Sequence, residues 1–297
     1  MGSIPEAPNT NGAETNNSAL SWKASSPFST NNTRWPRPVV PDSVFKMFDM
    51  TGKVAIITGG SGGIGYEVAR ALAEAGCAVA IFYHAAKNAS ALAATIAADF
   101  HVKCQAYRCA VENYAEVRDQ VAAVVADFGR LDVMVANSGI SRPAGGIDDP
   151  VENWHQVMDV NLHGAYYCAK VAGEIFRRQR SGNLIFTASM SGHIANTPQQ
   201  QACYNSSKAA VIHLSKSLAA EWTSFNARVN TVSPGYIDTA ISGGCSRDMK
   251  DQWHRLTPMH READAKELKG VYLWLASNAS SFTTGTDVVV DGGYCCW

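Results

Sequence analysis

The segment Thr58-Gly-Gly-Ser-Gly-Gly-Ile-Gly65 follows a short apolar run, Val54-Ala-Ile-Ile57, and precedes a helical pattern over residues 67–75. Glycines at such a strand-to-helix turn permit positive φ angles and close approach of the backbone, and the helix N-terminus favours a phosphate group. The segment fits both a hydrolase nucleophile elbow (GxSxG) and a dinucleotide fingerprint (GxGxxG). A hydrolase normally places its nucleophile after several strands, whereas this turn follows the first strand, so dinucleotide binding is favoured.

Short apolar strands and amphipathic helices alternate along the chain beyond this turn. Such alternation is typical of βαβ units and of a buried parallel sheet. We predict a single doubly wound α/β domain of the Rossmann type over residues 45–297, with a seven-stranded parallel sheet and helices on both faces. The longest irregular segment, 234–261, is a candidate substrate loop or lid. The predicted strands are 54–57, 79–82, 103–109, 131–136, 183–187, 228–232 and 287–290, and the predicted helices are 67–75, 88–98, 114–128, 154–178, 204–225 and 263–276.

The composition of the 297-residue chain limits its partners and its compartment. It has 25 basic and 26 acidic residues, for a net charge of −1, and so lacks the basic footprint of a nucleic-acid-binding protein. Eight cysteines without a CxxC pair predict free thiols in a reducing compartment. The sequence shows no apolar run of membrane-span length, no secretory signal and no metal-binding histidine spacing. We therefore predict a cytoplasmic protein with no membrane partner and no metal.

Residues 1–44 differ in composition from the rest of the chain. Their first 34 residues are rich in Asn, Ser, Thr and Pro, and they cannot bury enough apolar surface to offset the entropy cost of ordering. Trp22, Phe28 and Trp35 offer apolar groups for docking onto the domain or onto a neighbouring subunit. A flexible tail and a docking segment are both consistent with this composition.

Chemistry-bearing residues gather in the second half of the chain. Tyr204 and Lys208 are four residues apart, so they share one helix face. A buried ammonium beside a phenol lowers the phenol's pKa from about 10, which makes tyrosine a usable general acid. The preceding strand ends near Ser189, where open α/β sheets bind ligands. Asn161 adds a further polar group, which could equally serve as a helix cap.

Together these residues resemble the short-chain dehydrogenase/reductase family across residues 50–297. Further segments are similar to its fungal branch of sorbose reductases, xylulose reductases, NADP-dependent mannitol dehydrogenases and yeast carbonyl reductases. The family motifs are Thr58–Gly65, Asn137-Ser-Gly139, Asn161, Ser189, Tyr204 with Lys208, Ser233–Thr239 and Thr284–Gly293, and the branch segments are Thr187–His193, Pro198–Gln201, Lys216–Trp222, Arg228–Tyr236 and Leu275–Gly285.

The resemblance implies roles for the catalytic residues. Tyr204 would donate a proton to the carbonyl oxygen as hydride arrives, and Lys208 would hold the nicotinamide ribose and lower the pKa of the tyrosine. Asn161 would anchor a water that relays protons to Lys208. A serine would hydrogen-bond the substrate carbonyl. A spacing common in the family selects Ser191 for that role, whereas the strand register and the longer loop of the fungal branch select Ser189, which we prefer.

The resemblance also implies a cofactor, and the sequence indicates which one. The second strand ends in Phe82-Tyr83-His84 without an acidic residue. A carboxylate there would bind ribose hydroxyls but repel a 2′-phosphate, so NADP(H) is favoured over NAD(H). The expected cofactor-binding residues are Gly59, Ser61, Gly63, Ile64 and Gly65 at the pyrophosphate and adenosine ribose, Tyr83, His84 and Lys87 at the 2′-phosphate, Asn137, Gly139, Tyr204 and Lys208 at the riboses, and Pro234, Gly235, Ile237 and Thr239 at the nicotinamide.

The predicted function is reversible NADPH-dependent reduction of a ketone, either a ketose or a ketone of specialised metabolism. Alternatives are reduction of a C=N bond, an unusual ring-forming step, or a non-catalytic NADP-binding scaffold. The resemblance further implies a homotetramer built through the two long helices and the C-terminal strand. The expected walls of the substrate pocket are residues 140–143, residues 193–196 and residues 236–254, with Tyr236, Ile241 and Trp253, and His193 is expected to be a wall or surface group.

Overall fold

A seven-stranded parallel sheet forms the centre of the structure, a computed structural model that describes residues 38–142, 145–240 and 242–296. Most of the predicted N-terminal extension, including Trp22, Phe28 and Trp35, lies outside the described residues, as do the predicted pocket residues Pro143 and Ile241. The boundary near residue 44 therefore stays a prediction.

The order of the strands confirms the predicted doubly wound topology. The sheet runs β3-β2-β1-β4-β5-β6-β9, with every neighbouring pair parallel. The chain direction across the sheet reverses between β1 and β4, and in such folds ligands bind outside the carboxyl ends of the strands at that point. The seven strands are β1 Val54–Thr58, β2 Ala78–Tyr83, β3 Cys104–Arg108, β4 Val133–Ala136, β5 Gly182–Thr187, β6 Ala227–Pro234 and β9 Asp287–Val290, and the short strands β7 Ile237–Asp238 and β8 Ala263–Asp264 pair separately.

Both faces of the sheet are covered by helices, which explains why its strands are continuous apolar runs. Val54 and Ile56 of β1 pack into a core shared with α4, α6 and α7. Ala55 and Ile57 of the same strand pack into a second core shared with α2, α3 and α9. The helices are α1 Val44–Met47, α2 Gly63–Glu74, α3 Ala89–Phe100, α4 Tyr114–Phe128, α5 Val151–Met158, α6 Gly164–Gln179, α7 Ala202–Trp222, α8 Arg247–Leu256 and α9 Lys269–Ala276.

Three predicted elements differ from the structure. The helix predicted over residues 263–276 begins only at Lys269, after the short strand β8 and a 3-10 turn, Ala265–Leu268. The helix predicted over residues 154–178 consists of α5 and α6 joined by a π-helical turn, Asp159–His163. The segment predicted to be irregular, 234–261, contains the helix α8, whose N-cap Ser246 accepts a hydrogen bond from the amide of Met249. The interpretation of residues 234–261 as irregular was therefore wrong over ten residues, while its role as a lid stays a prediction.

The described part of the chain contains no helix long and apolar enough to cross a membrane. All eight cysteines carry free thiols, as the sequence predicts. Five of them are buried, and burial raises the pKa of the Cys104 thiol to about 12. These buried cysteines therefore serve as small apolar core residues.

We predict that Phe176→Ala lowers the free energy of unfolding by about 3–5 kcal/mol, because it removes a large side chain from a close-packed core. Phe176 is fully buried on α6 and packs edge-on against Trp222 of α7, with ring centroids 6.3 Å apart. The measurement is urea denaturation followed by circular dichroism. The control is Arg177→Ala, an exposed neighbour on the same helix, which should change this free energy by less than about 0.5 kcal/mol. Equal effects of the two substitutions would contradict the assignment of Phe176 to the core.

Candidate active site

Thr58 joins the two central strands at the edge of the sheet where the candidate site lies. Its side-chain oxygen accepts hydrogen bonds from the amides of Asn137 and Ser138, both 2.9 Å long. The Asn137 side chain in turn donates to the Thr58 carbonyl over 2.9 Å. These contacts fix the end of β1 against the turn after β4, so the glycine segment and the Asn137-Ser-Gly139 turn form one continuous surface.

The glycine segment has the backbone geometry that a bound phosphate requires. Gly59 and Gly63 have positive φ angles of 65° and 50°, which favour glycine. A Cβ atom on Gly65 would lie 2.4 Å from the Gly59 carbonyl oxygen and 2.6 Å from the side-chain nitrogen of Asn137, so a larger residue cannot fit. The N-cap Gly62 supplies no side-chain hydrogen bond to α2. The first amide groups of α2 are therefore available to an anion, and these residues fit the pyrophosphate of a dinucleotide.

Asn161 lies in the π-helical turn between α5 and α6 and is almost fully buried. Its side-chain oxygen accepts from the Ile140 amide over 2.8 Å, and its nitrogen donates to the Ile140 carbonyl over 3.0 Å. The same nitrogen contacts the Ser207 hydroxyl at 3.1 Å. Asn161 thus connects the turn after β4 to α7, and no helix-cap role is seen for it. Single π-turns of this kind often occur at functional sites.

Lys208 is buried beneath Tyr204 on α7. Its ammonium donates to the Thr187 carbonyl over 2.9 Å and lies 5.5 Å from the centre of the Tyr204 ring. Burial lowers the pKa of Lys208 to about 8. Burial also raises the pKa of the Tyr204 phenol, and a hydrogen bond with Ser189 opposes that rise. Desolvation is the larger of these two effects on the phenol. The expectation that Lys208 lowers the pKa of Tyr204 stays a prediction.

The two candidate serines have different partners. Ser189 hydrogen-bonds the Tyr204 phenol, and its oxygen also accepts from the Ser191 amide over 3.1 Å. The Ser191 hydroxyl instead accepts from the Gln201 side chain over 3.2 Å. Both serines are buried and line the same cavity. Contact with the Tyr204 phenol favours Ser189 as the residue that would share a substrate oxygen with the tyrosine.

A cavity of about 370 Å³ lies between the glycine segment and α8. Its lining includes three side-chain amides, of Asn196, Gln199 and Gln201, and the aromatic rings of Tyr236 and Trp253. The predicted residues that line the cavity are Gly59, Gly63, Ile64, Gly65, Asn137, Gly139, Ser189, Tyr204, Lys208, Pro234, Gly235, Ile237 and Thr239.

Four expected cofactor residues lie outside the lining of this cavity. Ser61 is half-buried in the glycine segment, Tyr83 is half-buried at the end of β2, and His84 and Lys87 are exposed in the loop that follows. The Gly60 amide donates to the Phe82 carbonyl over 3.1 Å, which brings the glycine segment next to the end of β2. The structure therefore places these four residues around one corner of the sheet edge.

Of the expected pocket walls, Tyr236 and Trp253 line the cavity and His193 does not. His193 contacts the Asp287 carboxylate of β9 at 2.5 Å and is partly exposed. This position fits a surface group. Gln199 and Gln201 were missed as pocket residues, although the sequence contains a run of glutamines just before Tyr204 that could have indicated a polar wall.

Comparisons with a family model, with protein sequences and with solved structures all match this chain to reductases and dehydrogenases. Residues 59–295 match a family model described as enoyl-(acyl carrier protein) reductase. The chain is 51% identical to a probable NADP-dependent mannitol dehydrogenase of Yarrowia lipolytica, covering 91% of this chain and 98% of that protein. It is 48% identical to a sorbose reductase of Candida albicans, covering 87% and 92% of the two chains. Its fold is similar to that of an NADPH-dependent 3-quinuclidinone reductase from Rhodotorula rubra, with a TM-score of 0.86, 47% identity, and coverage of 89% and 99%.

We predict that Lys208 titrates near pH 8, because its ammonium is desolvated and its one described hydrogen-bond partner is a neutral carbonyl. The measurement is the pH dependence of lysine side-chain carbon signals by NMR in protein labelled at the lysine ε-carbon. One signal should titrate near pH 8 and disappear in Lys208→Arg, whereas exposed lysines titrate near pH ~10.4. Lys266→Arg, at an exposed position, should leave that signal in place. A spectrum in which every lysine titrates above pH ~9.5 would contradict the prediction.

Proposed function

The chain belongs to the short-chain dehydrogenase/reductase family, and we propose that it reduces a ketose to the corresponding polyol, reversibly, with NADPH. It is an NADP-dependent oxidoreductase acting on CH–OH and C=O groups. The observation that carries the proposal is the contact among Ser189, Tyr204 and the buried Lys208 at the wall of one cavity. These three groups can bind a carbonyl oxygen and protonate it.

Tyr204 is the proposed proton donor in the direction of reduction. Burial raises the pKa of its phenol, so the phenol keeps its proton near neutral pH and can give it to the substrate oxygen. Ser189 contacts the same phenol and would hydrogen-bond the carbonyl oxygen beside it. As the carbonyl carbon is reduced, negative charge develops on that oxygen, and two hydroxyl groups aimed at one point stabilise it.

Lys208 is the proposed electrostatic partner of Tyr204. Its ammonium has three N–H donors, of which one is used by the Thr187 carbonyl. The remaining donors would hold the ribose hydroxyls of the cofactor. Once Tyr204 has given up its proton, the positive charge 5.5 Å from the ring centre favours the phenolate. Lys208 therefore acts on the charged product of the proton transfer more than on the neutral acid.

Asn161 is proposed as a positioning residue for this group. Its side chain binds both the amide and the carbonyl of Ile140, so it fixes the turn that contains Gly139. A Cβ atom on Gly139 would lie 3.3 Å from the Lys208 ammonium, which shows how near the turn comes to the lysine. The water relay from Asn161 to Lys208 stays a prediction.

The residues that would hold NADPH follow from the geometry of the cavity. The glycine segment and the first turn of α2 would bind the pyrophosphate, Asn137 and Gly139 a ribose, and Pro234, Gly235, Ile237 and Thr239 the nicotinamide. When bound, NADPH supplies the hydride. Tyr83, His84 and Lys87 are the proposed ligands of the 2′-phosphate, since a half-buried phenol and two basic side chains lie at the end of β2 without a carboxylate among them.

The amide side chains in the cavity lining support a ketose as the substrate. Asn196, Gln199 and Gln201 line the same cavity as Tyr204, and amides can both donate to and accept from hydroxyl groups. Each amide already has protein partners, and the donor and acceptor positions that remain can bind the hydroxyl groups of a ketose, which a simple ketone lacks. The names of the relatives, a sorbose reductase and a probable mannitol dehydrogenase, are consistent with this choice. The homotetramer and the cytoplasmic location stay predictions.

We predict that Tyr204→Phe lowers kcat for ketose reduction by about a hundredfold or more, because the proton donor is lost. NADPH affinity should change by less than about threefold, since the ring and Lys208 remain. Activity is measured as NADPH oxidation with fructose, sorbose and xylulose, and affinity by fluorescence titration. Tyr166→Phe, at an exposed position on α6, is the matched control and should keep full activity. Unchanged turnover in Tyr204→Phe would refute the assignment.

We predict that replacing both His84 and Lys87 by alanine weakens NADPH binding about tenfold or more, because charge-assisted contacts to the 2′-phosphate are lost. Binding of NADH, which lacks that phosphate, should stay within about twofold. Fluorescence titration with both cofactors gives the two dissociation constants. Lys266→Ala, another exposed lysine, controls for a general loss of positive charge. If the double substitution weakens the binding of NADPH and of NADH equally, the assignment of His84 and Lys87 to the 2′-phosphate is contradicted.

A further inference from the structure

Tyr236 and Trp253 form a stacked pair at the substrate end of the cavity. Their ring centroids are 4.1 Å apart and their planes differ by 9°. Tyr236 follows β6, whereas Trp253 is the buried anchor of α8. The side chain of Gln199 connects the two, donating to the Tyr236 oxygen over 2.8 Å and accepting from the Trp253 indole over 2.8 Å. One amide thus fixes both rings in the cavity wall.

The indole determines which way this amide points. A tryptophan N–H can only donate, so the oxygen of Gln199 must face Trp253 and its nitrogen must face Tyr236. Asn196 is oriented in the same manner: its oxygen accepts from Gln201 over 3.0 Å, and its nitrogen donates to Tyr236 over 3.3 Å. The phenol oxygen of Tyr236 therefore accepts two hydrogen bonds from side-chain amides.

Neither of these contacts uses the phenol's own proton. The other nearby phenol is Tyr294, whose ring packs edge-on against Tyr236 at 5.5 Å and whose hydroxyl donates to the Thr197 carbonyl over 3.4 Å. Burial raises the pKa of Tyr236 most, the hydrogen bonds from Asn196 and Gln199 lower it, and the nearby Tyr294 raises it further, so the phenol stays protonated. Tyr236 and both of its amide partners line the cavity. The Tyr236 phenol is thus a proton donor in the lining of the cavity that Ser189 and Tyr204 also line.

We propose that Tyr236 is a specificity-determining residue that donates its phenol proton to a hydroxyl group of the substrate, in an orientation set by Gln199 and Trp253. This inference rests on the proposed function, since it assigns the recognition of one ketose hydroxyl. The hydrogen bond stabilises the complex with a substrate that carries this hydroxyl group. A substrate that lacks the hydroxyl group leaves the phenol proton without a partner.

The test pairs a substitution in the protein with deletions in the substrate. Wild-type enzyme and Tyr236→Phe are assayed with a reducible ketose and with its mono-deoxy analogues, each lacking one hydroxyl group. In the wild type, one analogue should show a kcat/KM about tenfold below that of the parent ketose. Tyr236→Phe keeps the ring stacked on Trp253. Its kcat/KM for the parent ketose should be about tenfold below that of the wild type, whereas its kcat/KM for that one analogue should equal the wild-type value. The loss should appear mainly in KM, because the contact is remote from the reacting carbon.

The matched control is Tyr294→Phe, which removes another phenol oxygen from the same aromatic cluster but not from the cavity wall. It should keep the wild-type preference among the analogues. If Tyr294→Phe erases that preference as Tyr236→Phe does, or if every analogue is disfavoured equally by wild type and Tyr236→Phe, the inference is overturned. A wild-type enzyme that reduces no ketose would overturn the proposed function itself, and the inference with it.

Discussion

The burial of one positive charge, the ammonium of Lys208, is the constraint on which the proposed catalytic centre depends. Transfer of an ammonium from water into a protein interior is unfavourable unless hydrogen bonds replace its hydration. Here the Thr187 carbonyl supplies one such bond, and the pKa of the lysine falls to about 8. The lysine is therefore poised to lose its proton only slightly above neutral pH. A group held at such a cost of free energy is typical of a functional site.

The geometry around Lys208 follows from this burial. The turn after β4 comes close to the lysine, so a side chain at Gly139 would fit tightly: a Cβ would lie 3.3 Å from the ammonium and 3.4 Å from the Asn161 oxygen. The turn must also be fixed, and the π-turn at Asp159–His163 places Asn161 where it binds both backbone groups of Ile140. Thr58 fixes the start of the same turn from β1. The turn after β4, the π-turn and the end of β1 therefore all contribute to the surroundings of the Lys208 side chain.

The sequence predicts those parts of the molecule that depend on local pattern. Continuous apolar strands such as Val54–Thr58 indicate a sheet covered on both faces, and the spacing of Tyr204 and Lys208 places them on one helix face. It does not predict quantities that depend on the folded environment. The pKa of Tyr204 rises because burial outweighs the hydrogen bond with Ser189, and spacing carries no information about burial. Helix α8 was missed because seven of its ten residues are polar or charged, although Met249, Trp253 and Leu256 have the i, i+4, i+7 spacing of an amphipathic helix.

The division between catalysis and recognition has a physical basis in how the cavity is built. The proposed catalytic group lies on regular elements or next to them: Lys208 and Tyr204 on α7, and Ser189 just beyond β5. The proposed substrate end is instead assembled from a loop amide, Gln199, and a helix anchor, Trp253, 54 residues apart in sequence. Relatives with different substrate names match this chain at similar identity, 51% and 48%. A change at Gln199 or Trp253 would alter the shape and polarity of the cavity without moving Lys208. Substrate preference can therefore vary while the proposed proton-transfer chemistry stays fixed.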